Sequence, residues 1–322
     1  MNFKKFALVL LTPWLFVGTA ASAADYPTQP LNIVVPWPAG GLVDFPARAI
    51  AEKLQASLGV PVVVRNKPGA GGIIGASEVA RAAPDGYTIM LTTSALNMND
   101  AIRSDMPFDV KKDFEPVGVA AYTSLILVTG QNGPDTVAEL IAEASKSPGK
   151  LSYASAGAGT PGNFAGEMLK TAKDLEIVHV PYKGGPPAMM DQIAGLIDFH
   201  FANAAVALPQ LEANKIKALG VASMKRMPQL PEVPTLVEQG VADFDLDQWI
   251  GFLAPAGTPT AIVERLSQEI GNALQDPALQ DSLQRNGMTA AQAQTPGAFK
   301  DYLRKDLEKW TTVAETSAIK LD

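Results

Sequence analysis

The chain has 322 residues, 47% hydrophobic and 18% charged, with a formal net charge of −7 and no cysteine. That length has room for two hydrophobic cores, and no disulfide or cysteine-linked lipid supports them. A balance this acidic argues against nucleic acid or an anionic membrane as a partner.

In chain order, Lys4 and Lys5 precede an apolar run, Phe6 to Val17, and Ala21-Ser22-Ala23 has the small-x-small form of a cleavage site. These predict a cleaved secretory leader over residues 1–23, and a soluble protein exported to the periplasm. The run is shorter than the ~20 residues of a membrane-spanning helix. "LNIVVPW" then reads as a strand, and "DFPARAIAEKLQASLG" as a helix with Ala47, Ile50, Ala51 and Leu54 on one face, capped by Asp44 and ended by Gly59. "VPVVVRN" is a second strand, "GGIIGASEVARAAP" a second helix and "TIMLTTS" a third strand. This βαβαβ order predicts a parallel sheet covered by helices.

The pattern restarts near residue 117. "VGVAAYTSLILVTG" is a strand pair or one long run, followed by alternating helices and strands up to "KALGVAS". Beyond residue 258 the chain reads mostly as helix, expected to pack back on the first unit. Two α/β units of similar size follow, with domain boundaries expected at 24–124 with 248–322, and 125–247. A cleft between them is a natural ligand site.

Three loops share one plan of strand, glycines and helix: Pro36 to Asp44, Lys67 to Gly75 and Ser155 to Asn163. Glycine lets main-chain N–H groups approach a ligand, and the helix start that follows adds partial positive charge. Plain chain reversal also asks for glycine, but three such loops at strand ends favour an anion site. Gly157, Gly159 and Gly162 satisfy G-x-G-x-x-G, yet the next strand ends in Tyr182 and Lys183 without the acid that a dinucleotide site requires. No G-K-[ST] occurs, and "YASAG" has Tyr153 where a nucleophile elbow has glycine. The two histidines, His179 and His200, lie in apolar strands without metal-ligand spacing and read as satisfied structural residues. No catalytic residue, metal site or cofactor is expected.

"VPWPAGGLVDFPAR", "NKPGAGGIIGASEVARAAPDGYTIML", "LSYASAGAGTPGNFAGEMLK", "HVPYKGGPPAMMDQIAGLIDFHF" and "LPEVPTLVEQG", in that order, resemble the extracytoplasmic solute-binding receptors of tripartite tricarboxylate transporters, the Bug or TctC family. The resemblance implies two Rossmann-like α/β domains with a central cleft, the Venus flytrap of periplasmic binding proteins. It also implies an organic carboxylate ligand: a di- or tricarboxylate, an aromatic acid or an amino acid. The partner it implies is an integral-membrane permease, served by a monomeric receptor. A ligand-sensing receptor for a signalling partner and an exported carboxylate-acting enzyme are the alternative readings.

The family grips a carboxylate with two glycine loops, which correspond here to Trp37–Asp44 and Ser155–Asn163. Candidate ligand contacts in the first are Trp37, Pro38, Ala39, Gly40, Gly41 and Asp44. In the second they are Ser155, Gly157, Gly159, Thr160 and Asn163. Strand ends add Ser94, Asn97, Tyr182 and Asn203. The sequence departs from the family's pattern at Leu42, where a hydroxyl residue is frequent, and at Asn163, where His is frequent. Leu42 and Trp37 suggest a ligand with an apolar or aromatic body, unless Trp37 packs into the core and Leu42 faces away.

Overall fold

The computed structural model describes residues 26–242, 244–317 and 319, so the expected leader lies outside the described residues. The chain begins with β1 (Leu31–Val35), α1 (Asp44–Leu58), β2 (Val62–Asn66), a 3-10 turn (Ala70–Gly72) leading into α2 (Ile73–Ala80), and β3 (Thr88–Thr93). β1 pairs in parallel with both β2 and β3. On α1 the stripe Ala47, Ile50, Ala51 and Leu54 is buried, and Gly59 stops the helix at φ 71°. Burying Ile50 or Leu54 stabilises by roughly 2 kcal/mol each.

Next come α3 (Ala95–Ile102), β4 (Phe114–Thr123) and β5 (Leu125–Gly130). The long apolar run is thus a strand pair, interrupted at Ser124, with each half in a different sheet. The middle of the chain supplies α4 (Val137–Lys146), β6 (Ser152–Ser155), α5 (Pro161–Lys173), β7 (Val178–Pro181), α6 (Gly185–Ile193), β8 (Phe199–Asn203), α7 (Ala204–Glu212) and β9 (Ile216–Val221). The last part supplies β10 (Gln248–Pro255), α8 (Thr260–Ala273), α9 (Pro277–Arg285), β11 (Met288–Ala290) and α10 (Pro296–Thr316).

The first sheet has the order β11-β4-β10-β3-β1-β2 and the second β7-β6-β8-β5-β9. Neither is the all-parallel sheet that the βαβαβ pattern suggests. β10 brings the chain back from the second sheet and lies between β3 and β4, antiparallel to both. All eight of its residues are buried, as a central strand covered on both faces requires. In the second sheet β5 runs antiparallel to β8 and β9, while β6 is parallel to β7 and β8.

α10 departs from the expectation that the C-terminal helices serve the first unit alone. Phe299 and Leu303 pack into the first unit, whereas Trp310, Ala314 and Ile319 join the core of the second. Gly251 of β10 makes room for this helix. A Cβ there would lie 2.6 Å from Cζ of Phe299, so a side chain would displace the ring. Further along α10, the buried Asp306 carboxylate accepts hydrogen bonds from Trp249 Nε1 (2.9 Å), Trp310 Nε1 (2.9 Å) and Asn97 Nδ2 (2.8 Å). One carboxylate thereby joins β10, α3 and α10.

Candidate functional site

Loop one leaves β1 at Pro36 and enters α1. Asp44 is the first residue of α1 and does not cap it; Val43 holds the cap position. The Asp44 carboxylate instead clasps the loop. It accepts from Gly40 N–H (2.9 Å), Arg48 Nε (3.1 Å) and Asn66 Nδ2 (2.9 Å). Burial pushes its pKa up, but the hydrogen bonds from Arg48, Gly40 and Asn66 outweigh that and hold it below the ordinary value. With Asp44 engaged in this way, the N–H groups of Leu42 and Val43 find no acceptor among the described residues.

Loop three leaves β6 and enters α5. Its shape is set by a chain of hydrogen bonds. Glu167 accepts from Tyr153 Oη (2.7 Å), which accepts from Asn163 Nδ2 (3.0 Å). Asn163 Oδ1 accepts from Gly159 N–H (3.0 Å). Ser155 Oγ lies 2.7 Å from His179 Nε2, accepts from Gly157 N–H (3.1 Å) and donates to Gly157 O (2.9 Å). The Ser–His distance is that of a nucleophile and its base, but Ser155 is fully buried and its hydroxyl is committed to the loop. Burial lowers the His179 pKa to about 4, with Glu167 opposing and Lys170 assisting, so the ring is neutral at pH 7. It also stacks on Tyr153, with ring centroids 4.8 Å apart.

Between these loops lies a small, partly open cavity of about 40 Å³. Four helix starts meet its wall: Leu42 and Val43 before α1, Thr160 to Gly162 at α5, Gly184 to Pro186 at α6 and Asn203 before α7. Trp37, Pro38, Thr93, His200 and Gln248 complete much of the lining, and among the described residues no Lys or Arg takes part. Two lining residues have buried nitrogens that find no partner among the described residues, Trp37 Nε1 and His200 Nδ1. Such atoms are costly unless a bound group satisfies them.

The two sheets touch around this cavity. Gln248 Nε2 donates to Asn203 Oδ1 (3.1 Å), joining β10 to the end of β8. Pro38 sits against Gly184, where a Cβ would lie 2.8 Å from its Cγ. The amide of Asn99, on α3, donates to Ala95 O (2.8 Å), Gly71 O (3.3 Å) and Gly159 O (3.1 Å). It therefore bridges loop two of the first sheet and loop three of the second. Gly159 has φ 75°, and a Cβ there would collide with the Asn99 side chain.

Of the expected contacts, Trp37, Pro38, Gly41, Thr160 and Asn203 line this cavity. Gly157 and Tyr182 line a neighbouring one, which shares Trp37, Pro38 and Ala156 and is flanked by Arg103 and Lys183. Loop two lines that outer cavity and not the inner one. Asp44, Ser155, Gly159 and Asn163 hold loop shape. Ala39 and Gly40 are exposed at the tip of loop one. Ser94 is buried beside Thr93 with no partner for its hydroxyl, and Asn97 lies in the seam with α10. Leu42 is both a core and a lining residue, and Trp37 packs on the core while lining both cavities.

His200 is not the satisfied structural histidine that the apolar strand suggests, because Nδ1 has no partner. Sequence reasoning also missed Asn99, Gln248 and the Gly184–Pro186 helix start. "KGGPP" carried the same glycine-before-helix pattern as the three chosen loops and was open to the same reading.

Comparison with known proteins agrees with this geometry. The family described as tripartite tricarboxylate transporter family receptor matches residues 46–318. Protein BugT of Bordetella pertussis is 33% identical over 315 residues, 95% of this chain and 96% of BugT. A solved R. palustris structure with adipate is 33% identical at a TM-score of 0.88, covering 92% of this chain and 99% of that one. MatC from Rhodopseudomonas palustris, with bound malate, is 28% identical at a TM-score of 0.86, covering 89% of this chain and 99% of MatC.

Proposed function

The chain belongs to the tripartite tricarboxylate transporter receptor family, and from that premise we propose that it is a periplasmic receptor that closes two domains on a small organic carboxylate and presents it to a membrane permease. The observation that carries this reading is the inner cavity. It is walled by loops from both sheets, four helix starts meet it with the unpaired N–H groups of Leu42 and Val43 at one of them, and among the described residues no Lys or Arg lines it. A carboxylate accepts several neutral donors at once, and helix starts favour its charge without a full cation. Arg103 and Lys183, on the outer cavity, supply the field that draws an anion toward the cleft.

The first domain comprises residues 24–124 with 248–322, and the second 125–247. The hinge crosses at Ser124 and between β9 and β10. Ligand contacts from both domains favour the closed state, which is the form a permease distinguishes. The protein binds and releases its ligand without turnover. Adipate and malate, found in two neighbours, are the first acids to titrate by calorimetry. Gly41 N–H donates to Pro38 O (3.2 Å) and so holds the turn of loop one. Gly41→Pro removes that donor and is expected to abolish binding; unchanged affinity would place the site elsewhere. Uptake that survives loss of the permease would contradict the transport role.

A further inference from the structure

His200 Nδ1 finds no hydrogen-bond partner among the described residues, and its surroundings say what kind of partner it lacks. It is 2% exposed and lines the inner cavity from β8. Its register partners are Val128 on β5 and Ala154 on β6, both fully buried and apolar. No charged group perturbs it; burial alone lowers its pKa to about 4, so the imidazole is neutral. A neutral imidazole offers one donor and one acceptor. It sits three residues, about 10 Å, before the end of β8, set back from the helix starts that would hold the carboxylate.

Resting on the carboxylate reading above, we propose that His200 is a specificity residue that hydrogen-bonds an uncharged oxygen at the far end of a monocarboxylic acid. A hydroxyl group is the closest match, because it can donate to or accept from whichever ring nitrogen faces it, in either tautomer. A second carboxylate in that position would lose its hydration against a neutral ring, and among the described residues no Lys or Arg lines the cavity to compensate. An unsubstituted alkyl or aryl end would leave the imidazole unsatisfied. The chain therefore selects against the dicarboxylates found in the two neighbours.

Two matched series test this by calorimetry on the ligand-free protein: hexanoate, 6-hydroxyhexanoate and adipate, then benzoate, 4-hydroxybenzoate and terephthalate. In at least one series the hydroxy acid should bind about five- to ten-fold tighter than its parent acid, the weight of one hydrogen bond, and tighter than the diacid. His200→Phe should erase that preference, bringing the hydroxy acid to within about two-fold of its parent whatever the variant does to both. His200→Gln, which retains a donor and an acceptor, should preserve it. His200→Met replaces the Phe variant if the latter does not fold. Tighter binding of the diacid, or an equal loss for all acids in His200→Phe, would overturn this inference alone. Binding of none of the six would overturn this inference, while the carboxylate reading would still stand or fall on the wider screen of acids.

Discussion

Asn99 and Asn97 show how much depends on two positions of one short helix. Residues two apart on a helix point about 200° away from each other. Asn97 faces α10 and gives its amide to Asp306, while Asn99 faces the cleft and joins loops two and three. The strand before them marks the region in the sequence, but nothing in "SALNMND" says which asparagine turns toward the cleft. Asn99→Ala should weaken ligand binding by roughly ten-fold through loss of these bridging bonds, with little change in how tightly the open form holds together. Titration calorimetry checks it, and undiminished affinity would mean that Asn99 does not stabilise closure.

The histidines make a second case at this scale. Both are held near pKa 4, against an ordinary value of 6.5. Between those values the unfolded chain takes up protons that the folded chain refuses. Their contribution to stability is complete above pH 6.5 and is withdrawn as the pH falls toward 4, by roughly 3 kcal/mol each. The urea midpoint should therefore drop steeply from pH 6.5 to pH 4.5, and a flat profile would mean that both rings protonate in place. Apolar neighbours in the sequence forecast their burial. They did not forecast that Ser155 and Asn163 face His179 while His200 faces only the cavity, because those neighbours come from other strands.

Among the elements, α1, α5 and the glycine loops were readable because their signals are local: a 3.6-residue apolar stripe, a proline in the first turn, glycines after a strand. β10 was not. Its eight buried residues carry no alternation, and its antiparallel place between β3 and β4 is decided by where the chain re-enters the sheet. The reach of α10 was hidden for a related reason. An amphipathic stripe tells that a helix is covered, not that its first half meets one core and its last turns another. Asp306 fixes that path by receiving three donors. Asp306→Ala leaves the two indole N–H groups buried without acceptors, while the Asn97 amide keeps Leu303 O, and should cost about 3 kcal/mol of unfolding free energy. Chemical denaturation checks this; a loss below 1 kcal/mol would show that apolar packing alone seats α10.

For the whole molecule, the two-unit plan was legible because strand–helix alternation runs twice, but the restart read near residue 117 falls inside β4 of the first sheet, and the crossing lies at Ser124. The contacts that close the cleft were not, since Pro38 against Gly184, Gln248 with Asn203 and Asn99 across two loops join residues far apart in sequence. Polypeptide crosses between the sheets at Ser124 and between β9 and β10, with α10 lying against both cores. The proposed closure would bend the chain at these crossings, and α10, which packs on both cores, would have to shift with it. Solution scattering should accordingly show a smaller radius of gyration with ligand than without, and Asn99→Ala should shift the ligand-free protein toward the larger value.

The most direct test of the central claim, that the cleft holds an organic carboxylate, is a thermal-shift screen of ligand-free protein against aliphatic and aromatic mono- and dicarboxylic acids. An acid present at about 100 times its dissociation constant stabilises the folded state by about 2.7 kcal/mol. The account predicts a clear rise in melting temperature with one or a few acids, lost in Gly41→Pro. No rise with any acid, in a folded and ligand-free sample, would contradict it.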